Sequence, residues 1–174
     1  MIIRILLLYS FLFVSCSGKS QQKSDPPAEN STEQVTTYIL VRHAEKESQS
    51  STAELTEEGF NRANNLAGFL EPYKIDYVYS TNVTRTEQTA TPTAKKNNLT
   101  LINYIPGSLY TDDFKQKTKG KSTLIVGHSN TIPDLVNKII GKNKYSDIND
   151  SDFNNVYIVE IKGEEITETL KNID

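Results

Sequence analysis

Cysteine is almost missing from this 174-residue chain: Cys16 is the only one. A lone thiol excludes an intramolecular disulfide, and it removes a zinc cluster or a cysteine nucleophile from the body of the protein. Histidine is nearly as scarce, with His43 and His128 the only two. A metal site built on that pair would need further ligands that nothing in the chain specifies. Positive charge is not in excess. The formal net charge is −3, and there is no basic stripe with interleaved aromatics, which argues against a nucleic-acid partner. No internal repeat is visible. The apolar run from Ile5 to Val14 is too short to span a bilayer as a finished helix.

That run has instead the length of a signal-peptide core, with a short positive start over Met1 to Arg4. It ends in Phe13-Val14-Ser15-Cys16, followed by Ser17-Gly18. Small residues before a cysteine at this point resemble the bacterial lipoprotein cleavage box, with Phe13 where Leu is more usual. The resemblance implies a signal peptide over residues 1–15 and a mature chain that begins at Cys16, lipidated on its thiol and amino group. The expected location is the cell envelope, outside the cytoplasm, with the membrane as a partner. An ordinary signal peptide with an incidental cysteine is the other reading. Ser17 to about Val35 is rich in Ser, Gln, Lys, Glu, Asn and Pro without apolar periodicity, so 16–35 reads as a flexible linker. The remaining stretch, 36–174, is about 140 residues, room for one domain with one core.

Strand-like and helix-like runs alternate in that stretch. Tyr38-Ile39-Leu40-Val41 is an unbroken apolar run. Thr56-Glu57-Glu58 looks like a helix cap with acids in the first turn, and Phe60, Ala63, Ala67 and Leu70 then recur at helical spacing up to Pro72. Asp76 to Ser80 reads as a short strand, followed by a polar helix from about Asn82 to Lys96 in which Pro92 marks a place for a kink. Leu99 to Ile105 is a third strand. The lysines at 115, 117, 119 and 121 alternate with polar residues, as in a solvated loop. Ser122 to Gly127 is a fourth strand, and a helix follows with Ile132, Leu135, Val136, Ile139 and Ile140 on one face and Gly141 as its stop. Val156 to Ile161 and Glu165 to Leu170 close the domain as a hairpin. Unbroken apolar strands are buried on both faces, so the expected fold class is α/β, a three-layer sandwich with a mainly parallel central sheet flanked by helices.

In such folds the site lies beyond the carboxyl ends of the strands, and polar chemistry clusters there. Arg42-His43 follows the first strand, Arg85 opens the helix after the second, and His128 follows the fourth in Val126-Gly127-His128-Ser129-Asn130. Guanidiniums match phosphate oxygens and stay charged at any working pH. A neutral imidazole takes a phosphoryl group if its other nitrogen is held by a hydrogen bond, and a second imidazole can stabilise the oxygens as they gain charge. Such a set needs no metal or cofactor. Each piece alone is weak. An Arg-His pair at a strand end is ordinarily surface polarity, Gly-His-Ser a capped turn, and Arg85 an exposed helical arginine.

Together the pieces form a pattern: Leu40-Val41-Arg42-His43-Ala44-Glu45-Lys46, then Leu55-Thr56-x-x-Gly59-x-x-Arg62-Ala63, then Tyr79-Ser80-Thr81-x-x-x-Arg85-Thr86-x-Gln88-Thr89-Ala90, then Val126-Gly127-His128-Ser129-Asn130. This pattern resembles the histidine phosphatase superfamily, also called phosphoglycerate mutase-like, from about residue 36 to the C-terminus. The resemblance implies a phosphatase acting on a small phosphorylated substrate, a phosphate monoester or a phosphoramidate. In that reading His43 is the phosphorylated nucleophile, and Arg42, Arg85 and His128 complete the phosphate pocket. Larger members add an acidic proton donor after the arginine helix. Here only Asp112 and Asp113 lie between Glu87 and Asp134 as carboxylates, so one of these is the expected donor, with Glu45 the other candidate and a solvated loop the alternative. The compact form looks more like the short phosphohistidine phosphatases, whose phosphoramidate substrates leave easily.

Competing readings fare worse. His43-Ala44-Glu45 matches the H-x-E of zinc deaminases, but their P-C-x-x-C partner is absent. A mutase acting in glycolysis does not suit a secreted lipoprotein. The alternative of another class is a non-catalytic phosphate-recognising module with the pocket kept and turnover lost.

Overall fold

The computed structural model describes residues 34–50 and 52–173. The expected signal peptide, Cys16 and nearly all of the linker lie outside the described residues.

Among the described residues, six strands and four helices follow one another in the order β1 (Thr36–Arg42), α1 (Glu57–Phe69), β2 (Tyr77–Thr81), α2 (Thr84–Lys96), β3 (Leu101–Tyr104), α3 (Asp112–Thr118), β4 (Ser122–Gly127), α4 (Thr131–Ile140), β5 (Asn155–Lys162) and β6 (Glu165–Asn172), with a 3-10 turn over Glu71–Tyr73. The strands form one sheet in the order β3-β2-β4-β1-β5-β6. The first four run parallel, and β5 and β6 turn antiparallel as the closing hairpin. The α/β sandwich expected from the sequence is the observed fold.

Strand β1 shows why its apolar run is unbroken. Ile39 and Val41 pack on one side with Leu66 of α1, Leu70 at its C-cap, and Ala90 and Ala94 of α2. Tyr38 and Leu40 pack on the other with Phe114 of α3 and Ile132, Val136 and Ile139 of α4. Side chains alternate along a strand, and here both faces meet helices, so both must be apolar.

The local signals mostly hold. Thr56 caps α1 by accepting the Gly59 N–H, with Glu57 and Glu58 in the first turn. Gly141 ends α4 with a left-handed φ of 67°, donating its N–H to the Asn137 carbonyl. α2 runs through Pro92 without losing its helical assignment.

Of the residues at helical spacing in α1, Phe60 is 40% exposed, and the buried face is carried by Gly59, Ala63, Leu66 and Ala67. One expectation is corrected. The expected loop around Lys115 and Lys117 is helix α3. Thr111 caps it by accepting the Phe114 N–H, and Phe114 and Thr118 are its buried anchors. One aromatic and one threonine give too little apolar periodicity to mark a seven-residue helix.

Candidate active site

Register brings the two histidines together. In the parallel pairing of β1 with β4, Arg42 lies opposite Gly127, so His43 and His128 leave adjacent strands side by side. The His43 N–H donates to the Gly127 carbonyl at 2.9 Å, and the imidazole rings stand 5.7 Å apart between centroids. Gly127 is closely surrounded by side chains. A Cβ there would lie 2.7 Å from the Tyr104 hydroxyl and 2.9 Å from Ile132 Cδ1.

His43 is 3% exposed. Its Nδ1 sits 2.7 Å from the Ala44 carbonyl oxygen. A carbonyl only accepts, so Nδ1 carries the proton and the lone pair rests on Nε2. Burial drives the imidazole pKa down to about 3. The Ala44 hydrogen bond opposes this, and the charges of Arg42 and Arg85 reinforce it. His43 is therefore neutral throughout the physiological range.

His128 is also neutral, its pKa lowered to about 4 by burial and then by Arg85 and Arg42. Arg85 Nη2 approaches its Nδ1 at 3.4 Å. A guanidinium only donates, which leaves the His128 proton on Nε2, facing Thr81 Oγ1 at 3.0 Å. Thr81 passes its hydroxyl proton toward Thr86 Oγ1 at 2.9 Å, and the Thr86 hydroxyl reaches the Thr81 and Val83 carbonyls, each at 2.8 Å. The ring is held in one orientation by that relay.

Arg42 is 6% exposed and is gripped by the loop after α4. Its Nη1 donates to the carbonyls of Asn149 (2.8 Å), Asp150 (3.0 Å) and Asp152 (3.0 Å). Its Nη2 lies 3.6 Å from an Asp150 carboxylate oxygen, and its guanidinium carbon sits 4.2 Å over the Phe153 ring. Its buried Nε has no hydrogen-bond partner among the described residues. Arg85, half-buried in the first turn of α2, completes the cationic wall.

The remaining motif residues support this turn of chain. Glu45 is bound through both carboxylate oxygens by Arg62, with Arg62 Nε at 2.8 and 3.0 Å and Nη2 at 2.7 Å. Gly59 lies so close to the Glu45 backbone that a Cβ would collide with its carbonyl oxygen. The Thr89 hydroxyl accepts the Ala44 N–H at 3.0 Å and donates to the Arg85 carbonyl at 2.7 Å. The Gln88 side chain accepts the Leu55 N–H at 2.8 Å. The spacings in these motifs thus encode struts for residues 43–45 as much as chemistry.

These groups open on a cavity of about 720 Å³. Arg42, His43, Arg85 and His128 all line it, together with residues 46–50, Ser129, Asn130, Asp150 and Phe153. Asp112 and Asp113 are not brought there, which corrects the expectation of a proton donor on that segment. The Asp112 side chain is 96% exposed and paired with Lys115, whose hydrogen bond holds its carboxyl below the ordinary range. Asp113 faces a different cleft, beside Tyr79, Asn82 and Lys117. Glu45 is committed to Arg62. The carboxylates that do line the cavity are Glu47 and Asp150, which the sequence reading did not single out. Their only signal was position, Glu47 four residues after His43 and Asp150 in a polar loop. Among the described residues, no three His, Cys, Asp or Glu side chains are grouped to hold a metal ion.

Comparison with known proteins finds likeness in sequence over part of the chain and in fold over most of it. Residues 38–104 match the model of the histidine phosphatase superfamily (branch 1). The fold is the phosphoglycerate mutase-like fold. It is shared with the protein histidine phosphatase SixA complexed with tungstate, at TM-score 0.63 and 18% identity over 78% of this chain and 96% of that one. Bacillus stearothermophilus YhfR gives TM-score 0.62 and 15% identity over 79% and 98%. A mutant phosphoserine phosphatase from Entamoeba histolytica in complex with phosphoserine gives 0.57 and 16% over 76% and 94%. No curated protein matches the chain by sequence.

Proposed function

We propose that this chain is a metal-independent phosphatase of the histidine phosphatase superfamily, hydrolysing phosphate monoesters or phosphoramidates through a phosphohistidine on His43. The observation that carries the reading is the tautomer of His43. A buried neutral ring with its Nδ1 proton held by the Ala44 carbonyl directs an Nε2 lone pair into a cavity walled by Arg42 and Arg85.

In the first step Nε2 attacks phosphorus, the P–N bond forms, and the ester or amidate bond breaks with its electron pair leaving on the departing oxygen or nitrogen. Arg42 and Arg85 carry the charge of the equatorial oxygens. His128 is placed to add a donor once substrate displaces Arg85 from its Nδ1 and that nitrogen takes a proton. Water then attacks phosphorus, the P–O bond forms as the P–N bond breaks with its electron pair returning to His43 Nε2, and the water's proton leaves to solvent as inorganic phosphate is released. Glu47 and Asp150, the carboxylates of the cavity lining, are the candidates to protonate a poor leaving group. The relatives named for phosphohistidine and phosphoserine support the class of reaction and leave the physiological substrate to be identified.

The deciding experiment is hydrolysis of p-nitrophenyl phosphate in excess EDTA, with the phosphoenzyme trapped by acid-free quenching and located by mass spectrometry. Turnover that survives the chelator and a phosphoryl group on His43 are expected. Activity lost with EDTA and restored by zinc or magnesium would refute the metal-independent step, and a protein inert toward any phosphate ester would leave a phosphate-recognising module.

We further propose that the domain is held at the cell envelope by lipid on Cys16. The apolar core of residues 5–14 and the small residues before the cysteine support this reading.

A further inference from the structure

The residue after Glu45 in the first motif is Lys46, and its position is set by backbone pairing. The Thr56 N–H donates to the Glu45 carbonyl and the Glu47 N–H to the Glu54 carbonyl, both at 3.0 Å, so Lys46 bridges Leu55 as in an antiparallel ladder. Side chains alternate along such a segment. The Glu45 carboxylate goes to Arg62, and Lys46 lines the cavity. Its ammonium donates to the Ser48 carbonyl at 2.6 Å and to Gln49 Oε1 at 2.8 Å. Both acceptors are neutral, and the third N–H is uncommitted in these contacts. Among the described residues no carboxylate lies within ion-pair distance of it.

The charged side chains of the lining are three cations, Arg42, Arg85 and Lys46, and two carboxylates, Glu47 and Asp150. Asp150 is turned to Arg42, Arg85 approaches His128, and Glu47 is exposed. Lys46 is the third cation, and its ammonium has no carboxylate partner among the described residues. Desolvation first, and Arg85 and Arg42 next, lower its pKa, with Asp150 opposing. The walls around it are polar. Phe153 is the one apolar side chain of the lining, and no aliphatic residue contributes.

We propose that Lys46 is a specificity-determining residue that binds a second anionic group, a carboxylate or a phosphate, on the leaving portion of the substrate. The inference rests on the reading of this cavity as a phosphate site. It selects, among phosphate esters, those that carry another negative charge.

The test is calorimetric titration of the full chain in a His43→Ala background, so that nothing is hydrolysed. Lys46 is retained or replaced as Lys46→Gln and Lys46→Glu. The ligands are inorganic phosphate, glycerol phosphate, phosphoglycerate and propanediol bisphosphate. With Lys46 present, the doubly anionic ligands are expected to bind up to about fivefold tighter than glycerol phosphate, the scale of one part-exposed ion pair. Lys46→Gln should erase the difference and Lys46→Glu should invert it. Tightening by only the carboxylate or only the bisphosphate assigns the group. Equal affinities with Lys46 present, a preference that survives Lys46→Gln, or no binding of any ligand would overturn the assignment. Turnover of p-nitrophenyl phosphate by the His43 protein is measured apart. If it fails while the Lys46-dependent preference stands, the phosphatase reading falls and the second-anion site does not.

Discussion

In the folded chain His43 stays neutral down to about pH 3 and His128 to about pH 4, whereas the ordinary imidazole value is 6.5. On unfolding, both rings regain water and titrate near that ordinary value. The unfolded state therefore binds more protons as pH falls, and stability falls with it. Above about pH 6.5 neither ring makes stability depend on pH, and the loss develops from there down to about pH 4 for His128 and about pH 3 for His43. Urea midpoints measured across that interval should drop in the wild type and drop less in a His43→Gln, His128→Gln double variant. Catalysis at the residue scale separates the two rings. On the proposed mechanism His43→Ala is expected to abolish turnover, because no neighbour can take over the covalent bond. His128→Ala should leave a residue of activity, about 10²–10³-fold down, the usual consequence of losing one charge-stabilising donor. Asp112→Asn and Asp113→Asn should leave kcat/KM within about twofold, in keeping with surface substitutions away from the site. A selective loss on alkyl esters in either variant would return that segment to the mechanism.

Elements, rather than single residues, hold the turn of His43 in place. Helix α1 touches it through Gly59 and Arg62, and helix α2 through Thr89. Gly59→Ala should therefore destabilise the fold by about 1–3 kcal/mol, the cost of overpacking a tight contact, and should lower kcat because the displaced atoms belong to Glu45, two residues from His43. Thr89→Val preserves volume and removes the acceptor of the buried Ala44 N–H, with an expected loss of about 1–3 kcal/mol. Denaturant unfolding of both variants, with turnover measured well below the midpoint, checks these values. If either variant matches wild type in both stability and kcat, the strut it represents carries no weight.

Over the whole molecule, the chemistry sits at one edge of the sheet because β1, β2 and β4 run parallel and all end there. The proposed lipid anchor is tested separately: Cys16→Ser should leave a product that no longer labels with fatty acid or partitions into detergent, since the thiol is the proposed acylation point, and labelling that persists would reject the anchor. Much of this organisation is written in the chain itself. The apolar run of β1 demands burial on both faces, Thr56 and Gly141 bound their helices by backbone chemistry alone, and Arg42, His43, Arg85 and His128 follow strands whose direction places them together. These are local signals, set by periodicity and by the hydrogen-bonding needs of helix ends. What they leave open depends on contacts between residues far apart in sequence. The carbonyl cradle of residues 149–152 around Arg42, the relay from His128 through Thr81 to Thr86, and the exclusion of Asp112 and Asp113 from the cavity have no local pattern. Neither does the tautomer of His43, because a proton's place on an imidazole is settled by the acceptor that meets it, and that acceptor takes its position only when the chain has folded.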